Sequence, residues 1–202
     1  MPESAAPPTL PRHHQLQLRP AATGDVPALV ALAKDTFRDT YRHLDTAEDI
    51  EDHVTRNFTP AAFLALLEDS RTSLLLAALD VRLVGYAQVA QSPAPPCVSG
   101  PAPIELCRLY LRQDVIGQGL GAALMEAVHA EARRREGQTL WLGVYDRNER
   151  ARDFYRRWGF VDVGTKDFYF GGRTYADPVM SAPVRPCGKM PALPPSFPQG
   201  TP

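Results

Sequence analysis

The chain reads as an α/β protein built on one mixed, mostly antiparallel twisted sheet with helices on both faces. Three observations lead there. Strand-like and helix-like segments follow one another in the order β-α-α-β-β-β-α-β-α-β-β. "TSLLLAALD" and "RLVGYAQVAQS" meet across a tight turn, which makes the middle of the chain an antiparallel hairpin. "IELCRLYL" runs through the glycine-rich "DVIGQGLGAALM" into a helix, a strand, loop and helix unit.

Taken in order, "LQLRP" is a short strand. "TGDVPALVALAKDTFRDTY" opens with Thr23 and Asp25 as capping residues and Pro27 in the first turn, and it sets Val26, Leu29, Val30, Ala33 and Phe37 at helical spacing. A second helical region covers about 46–69 and breaks before Pro60. After the hairpin and the loop "PAPPCVSGPAP", the strand "IELCRLYL" precedes a helix over about 119–136, with Leu120, Leu124, Ala127 and Val128 on one stripe. "TLWLGVYD" is a buried strand. "NERARDFYRRWGF" is a short helix with Asn148 or Asp146 near its start and Gly159 placed to end it. "VDVGTKDFYF", a Gly171-Gly172 turn and "RTYADPVMSAPV" form a closing hairpin.

Length bounds the organisation: 202 residues suit one core, assigned here to residues 16–184. Residues 1–15 and 185–202 are proline-rich without periodicity and are expected to be disordered tails. A net charge of -1 gives no general attraction to nucleic acid or an anionic membrane. Cys97, Cys107 and Cys187 are odd in number and lack a CxxC pair, so neither a disulfide framework nor a metal site is expected, and a reducing cytoplasm fits. No apolar run is long enough for a membrane span, and the first fifteen residues lack the apolar core of a signal peptide. Oligomeric state is left open, a homodimer included.

The glycines pose the chemical question. Gly117, Gly119 and Gly121 stand at a strand-to-helix junction, where free backbone amides and the positive end of the helix dipole suit a phosphate and a missing Cβ lets it approach. Glycines at a helix start also serve packing, so the pattern needs context. A P-loop is excluded by the missing Lys-Ser/Thr, and a dinucleotide fold wants its glycines after the first strand. Here they follow the fourth.

Context comes from "LYLRQDVIGQGLGAALM" paired with "WLGVYDRNERARDFYRRWGF". Together these resemble the GNAT superfamily of acetyl-CoA-dependent N-acetyltransferases, whose signature is a Q/R-x-x-G-x-G/A loop after the fourth strand and an N-x-x-A-x-x-F-Y-x-x-x-G-F helix after the fifth. Gly119 and Gly121 match the loop; Asn148, Ala151, Phe154, Tyr155, Gly159 and Phe160 match the helix. Ile116 departs from the usual Arg or Gln. A narrower likeness, in "IELCRLYL", "VGTKDFYFGG" and "DPVM", is to the bacterial spermidine/spermine acetyltransferase branch, with which "DTFRDTY" is compatible.

The resemblance implies acetyl-CoA as co-substrate, no metal, and a small-molecule amine as acceptor, polyamines first. Its pantetheine arm would pair with the backbone of Leu109, Tyr110 and Leu111 as an added strand does. Its pyrophosphate would lie on Ile116, Gly117, Gln118, Gly119, Leu120, Gly121 and Ala122. Asn148 would touch the pantetheine, cap its own helix, or both. Tyr155 is the candidate acid for the leaving thiolate, with a plain core aromatic as the alternative. Glu105 is the candidate base or water-positioning group, with an ion pair to an arginine as the alternative. Glu105 and Cys107 share a strand face, and Cys107 reads as a small buried residue rather than a nucleophile. Asp45, Glu48, Asp49 and Asp52 lie where the resemblance puts the acceptor site; they either attract a polycation or form a solvated face. Acetylation of a protein N-terminus or lysine, and a CoA-binding module without turnover, remain as rival readings.

Overall fold

The computed structural model describes residues 15–186, so all but the inner ends of the two expected tails lie outside the described residues. The first strand β1 (Leu16–Pro20) leads through a short 3-10 turn to α1 (Val26–Tyr41). The region expected to be a broken helix is two helices, α2 (Ala47–Asn57) and α3 (Pro60–Glu68). Each starts on a threonine: Thr46 accepts from the Asp49 N–H at 3.2 Å, and Thr59 from the Ala62 N–H at 3.1 Å. Pro60 has no N–H to give to a preceding turn, so one helix must end before it.

The expected caps of α1 are not used as such. Asp25 turns away from the helix and grips the Arg19 guanidinium through two contacts of 2.6 Å and the Ala22 N–H at 2.8 Å. Arg19 first, and Ala22 with it, hold this carboxyl down to about 2 against the cost of burial. A bidentate pair to an arginine outcompeted the weaker bond to a helix amide.

The hairpin of β2 (Thr72–Leu79) and β3 (Arg82–Ala90) is followed by β4 (Pro103–Leu111), α4 (Leu120–Arg134), β5 (Thr139–Gly143), α5 (Glu149–Arg157), β6 (Val161–Phe170) and β7 (Arg173–Pro183). The seven strands lie in the order β1-β2-β3-β4-β5-β7-β6. Among the described residues only β4 and β5 run parallel; the other neighbours are antiparallel. Gly171 and Gly172 take φ of 55° and 71°, the left-handed values that a two-residue hairpin turn requires.

Two apolar layers hold the sheet. On one face Leu120, Leu124, Met125 and Val128 of α4 and Tyr155 of α5 pack on Ile104, Leu106, Leu140 and Leu142. On the other, Leu29, Ala33 and Phe37 of α1 and Phe63 of α3 pack on Leu74, Leu76 and Tyr86. Ala127, expected on the α4 stripe, is only partly buried at its edge. Each fully buried leucine or phenylalanine here contributes roughly 1.5–3 kcal/mol relative to exposure, so the helices are fixed by their apolar stripes more than by propensity.

Candidate active site

The site begins with a fault in the sheet. β4 and β5 pair only from Pro103 to Glu105 against Thr139 to Trp141, and beyond Glu105 the two strands part. On its other side β4 stays paired with β3 up to Leu111, with a bulge where Gln88 faces Arg108 and Val89 faces Leu106, leaving Cys107 as the extra residue. The bulge resets the alternation. Ile104 and Leu106 before it, and Leu109 and Leu111 after it, pack toward α4. Tyr110 packs on the opposite face, toward α1.

Among the described residues, the parted strands leave the edge of β4 free from Leu106 to Leu111. The Arg112 N–H bonds to Val84 O on β3 at 2.8 Å, and alternation then turns the backbone of Tyr110 toward β3 and that of Leu109 and Leu111 toward the gap. This divides the expected trio: Leu109 and Leu111 offer backbone to a ligand lying along the edge, whereas Tyr110 offers its side chain.

At the end of this edge lies the glycine loop. Gly117 and Gly119 have φ of 87° and 83°, values that a side chain makes strained, and a Cβ on either would meet nothing within 4 Å. Ile116 N–H closes on Gln113 O at 3.3 Å and Ala123 N–H on Gly119 O at 3.1 Å. Among the described residues the amides between them, from Gly117 to Ala122, make no hydrogen bond, and they stand at the N-terminus of a fifteen-residue helix. Gly121 differs, because a Cβ there would lie 3.4 Å from the Phe154 ring and 3.5 Å from Leu111. It brings α4 close to α5 and β4. The Gln118 side chain is bound to Asp114 O at 3.0 Å, so among the cradle positions it is the backbone that is free.

Tyr155 closes the gap from the α5 side. Its ring is 9% exposed and packs edge-on to Phe154 at 5.5 Å and against Phe160 at 5.7 Å. Burial raises its pKa, and Tyr110 adds to the shift. Tyr41 of α1 is raised by burial too, and it feels Tyr110, Asp177 and Tyr155. Tyr41 and Tyr110 thus lie on the α1 face of the sheet and Tyr155 on the α4 face, near enough that Tyr155 feels Tyr110 and Tyr41 feels both. Asn148 caps α5, its Oδ1 accepting from the Ala151 N–H at 3.2 Å.

Glu105 sits where the strands part, and its carboxylate is engaged. Ser92 donates its hydroxyl to Oε2, and Lys166 of β6 lies 3.4 Å from Oε1. The expected arginine partner is therefore a lysine. Lys166 reaches across Gly143 and stands 5.1 Å over the Trp141 ring on the way. Cys107 does share the Glu105 face; burial first, then Glu105, push its thiol up to about 12, which suits an inert thiol at neutral pH.

The acidic group divides. Asp45 lies before α2 rather than on it, and its Oδ1 accepts from the hydroxyls of Tyr145 at 3.3 Å and Tyr175 at 3.4 Å. Asp49 takes the Thr46 hydroxyl at 2.7 Å, Asp52 pairs with Arg56 at 2.8 Å, and Glu48 is exposed. Sequence reasoning missed the side chains of Tyr41 and Tyr110, and also Lys166 and Asp177. The one signal for Asp177 is its position in β7 at even spacing from Val179 and Ser181, which marks it as inward-facing.

Comparison with known proteins bears on the family and the fold. The profile of the Acetyltransferase (GNAT) family matches residues 27–160. The chain is 35% identical over 156 residues to an uncharacterized N-acetyltransferase of Mycobacterium bovis, covering 77% of this chain and 96% of that protein. A crystal structure of the PaiA N-acetyltransferase from Thermoplasma acidophilum in complex with coenzyme A superposes with a TM-score of 0.69 at 20% identity, covering 84% of this chain and 99% of that one. The ribosomal-protein-alanine N-acetyltransferase from Brucella melitensis gives 0.62 at 25% identity, over 83% and 99%. With the splayed β4–β5 edge, the amide cradle at α4 and the tyrosine of α5 on one fold, the chain belongs to the GNAT acetyltransferase family.

Proposed function

We propose that this acetyltransferase transfers the acetyl group of acetyl-CoA to a primary amine of a small molecule, a polyamine before other amines, in a reducing cytoplasm. The observation that carries the reading is the free β4 edge followed, after one short turn, by the free amides of the α4 cradle, with the buried Tyr155 of α5 within electrostatic reach of Tyr110 on β4. Bound acetyl-CoA would supply an activated thioester there. Leu109 and Leu111 would hold its amides as a neighbouring strand does, and the amides of residues 117–122 its pyrophosphate. The outward N–H of Leu109 would polarise the carbonyl. Tyr155, protonated through neutral pH, would give its proton to the departing sulfur. Glu105, held by Ser92 and Lys166, would orient water on the acceptor side.

Polyamines are favoured by the surface beside the gap. Asp45 and Asp49 line a concavity of about 300 Å³ together with Arg42, Arg147 and Arg173, and Asp49 also borders a second of about 520 Å³, lined by Glu48, Glu51 and Asp52 with Arg56 as its one cation, where the carboxylates outnumber the cations. A polycation with one amine at the gap would find carboxylates along its length. Neutralising Asp45, Glu48, Asp49 and Asp52 together should raise the KM for spermidine several-fold, with the difference from wild type shrinking in high salt. An unchanged KM would leave this surface merely solvated. Because a structural neighbour is a ribosomal-protein-alanine acetyltransferase, the second reading is a protein N-terminus as acceptor. Thiol release from acetyl-CoA across polyamines, amino acids, antibiotics and peptides decides between them.

The cradle has its own test. Gly119→Asp and Gly119→Asn impose similar backbone strain at φ of 83°, but only the first sets a carboxylate against the pyrophosphate. Asp should bind acetyl-CoA at least about tenfold more weakly than Asn by calorimetry, equivalent to about 1.4 kcal/mol. Equal affinities in two folded variants would move the pyrophosphate elsewhere.

A further inference from the structure

Two carboxylate oxygens next to the gap are buried and, among the described residues, accept no hydrogen bond: Asp177 Oδ1 and Asp45 Oδ2. Asp177, on β7, is 5% exposed. It lies just past the end of β5, where Val144 N–H bonds to Pro178 O at 3.0 Å, and on the sheet face that carries Tyr175 and α1. Burial, with the like charges of Asp146 and Asp45 behind it, pushes its carboxyl up to about 6, against the Asp146 backbone and Lys166. Asp45 comes from the α1–α2 connection and is near enough to add to that shift. Both of its tyrosine partners fall on Oδ1, so Oδ2 is left over.

Such groups are costly to bury, and two of like sign close together cost more. Arg42, Arg147 and Arg173 line the concavity on the Asp45 side, with Arg147 donating to Leu44 O at 3.4 Å, and the cation beside Asp177 is engaged elsewhere. Lys166 is the register partner of Asp177 on β6, yet its ammonium is directed to Glu105 and the Trp141 ring. A primary ammonium carries three donors in a compact head, and placed between the two carboxylates it would satisfy both orphaned oxygens at once. Tyr41 connects this place to Tyr155: its ring stands 5.7 Å from that of Tyr145, whose hydroxyl donates to Asp45, and it feels both Asp177 and Tyr155.

We propose that Asp177 and Asp45 form the seat of the acceptor's ammonium group, and that Asp177 takes the proton that frees its nitrogen to attack. The proposal rests on the reading of the chain as an amine acetyltransferase. In the balanced step R–NH3+ gives one proton to the Asp177 carboxylate, and the neutral nitrogen forms the C–N bond to the acetyl carbon. As the C–S bond breaks, its electron pair leaves on sulfur, which takes the Tyr155 proton. The second nitrogen proton restores the phenol, directly or through water. The proton on Asp177 then passes to solvent, so acetyl-CoA and R–NH3+ give the amide, CoA–SH and one H+. Asp45 accepts a hydrogen bond from the ammonium.

The test uses the full chain, with CoA present, titrated calorimetrically with n-butylamine and with spermidine; acetyl-CoA is titrated separately. Both amines should bind wild type, and Asp177→Asn should weaken them at least about tenfold at neutral pH while leaving acetyl-CoA affinity unchanged. In turnover with spermidine, kcat/KM of that variant should fall about 100-fold, and the wild-type loss of rate below about pH 6 should vanish. Asp45→Asn should weaken amine binding without removing that limb. Amine binding by wild type should itself weaken below about pH 6, as Asp177, faced by Tyr41, Asp45, Asp146 and Lys166, takes up a proton. This last measurement needs no variant. Amine affinities within threefold of wild type in a folded Asp177→Asn, binding that is flat between about pH 5 and 8, or no binding of either amine at about 10 mM would each overturn the seat. Failure of acetyl-CoA to bind would overturn the transferase reading instead, and the amine titrations would still judge the seat.

Discussion

Tyr155→Phe should fold, bind acetyl-CoA as wild type does, and turn over its best amine about 10²- to 10⁴-fold more slowly. That range is the usual contribution of a positioned acid, roughly 3 to 5 kcal/mol of transition-state stabilisation. The ring is packed between Phe154 and Phe160, so replacing the phenol by phenyl keeps those contacts and removes one oxygen. Loss should fall on kcat rather than KM, because a proton given to the departing sulfur acts in the transition state and not in holding the acceptor. The direction of its pKa adds a second check. Burial and Tyr110 keep the phenol protonated beyond its ordinary range, so Tyr155 should impose no loss of rate up to about pH 10. A folded Phe variant running at the wild-type rate, with chemistry limiting, would make Tyr155 a packing residue only.

Much of this arrangement could be read from local signals. Pro60 divides the second helical region, Asn148 caps α5, and Gly159, with φ of 87°, ends it; each acts within one turn of its own position. The glycine loop is local too, because a left-handed φ at Gly117 and Gly119 is a property of residue type. What stayed hidden was long-range. Cys107 as a bulge cannot be inferred from "IELCRLYL", because the extra residue is defined only by its register against β3. Glu105 meets Lys166 sixty-one positions away, across two intervening strands, and nothing near either residue in sequence marks the pair. Asp25 shows the converse. A good helix-start residue was drawn off by Arg19 on the adjoining strand, a tertiary contact overriding a local preference. Asp177 was hidden for the same reason, since the strand reading of "RTYADPVMSAPV" does not say which of its faces meets α1 until the sheet is assembled.

Asp177→Asn should also make the protein more stable at pH 7.5 and leave it nearly unchanged near pH 4. The folded carboxyl titrates at about 6, against an ordinary value of 3.8. Between those values the native state holds a proton that the unfolded chain has released, so stability falls as pH rises through the window. Above about pH 6 the full cost of the buried charge stands, at most about 3 kcal/mol for a shift of this size. Asparagine has nearly the same shape, carries no charge, and its carbonyl can still accept from the Asp146 backbone, so the cost is removed at neutral pH and was never present in acid. For the Asn variant, chemical denaturation at both pH values should therefore show a rise in midpoint at neutral pH with an unchanged slope. This separates the two reasons a fold keeps a buried carboxylate. A residue retained for structure loses stability when it is replaced, whereas one retained for chemistry gives stability back. A neutral-pH midpoint that falls on replacement would place Asp177 among the structural residues, tied to Asp146 and Lys166, and would return the search for the proton acceptor to Glu105.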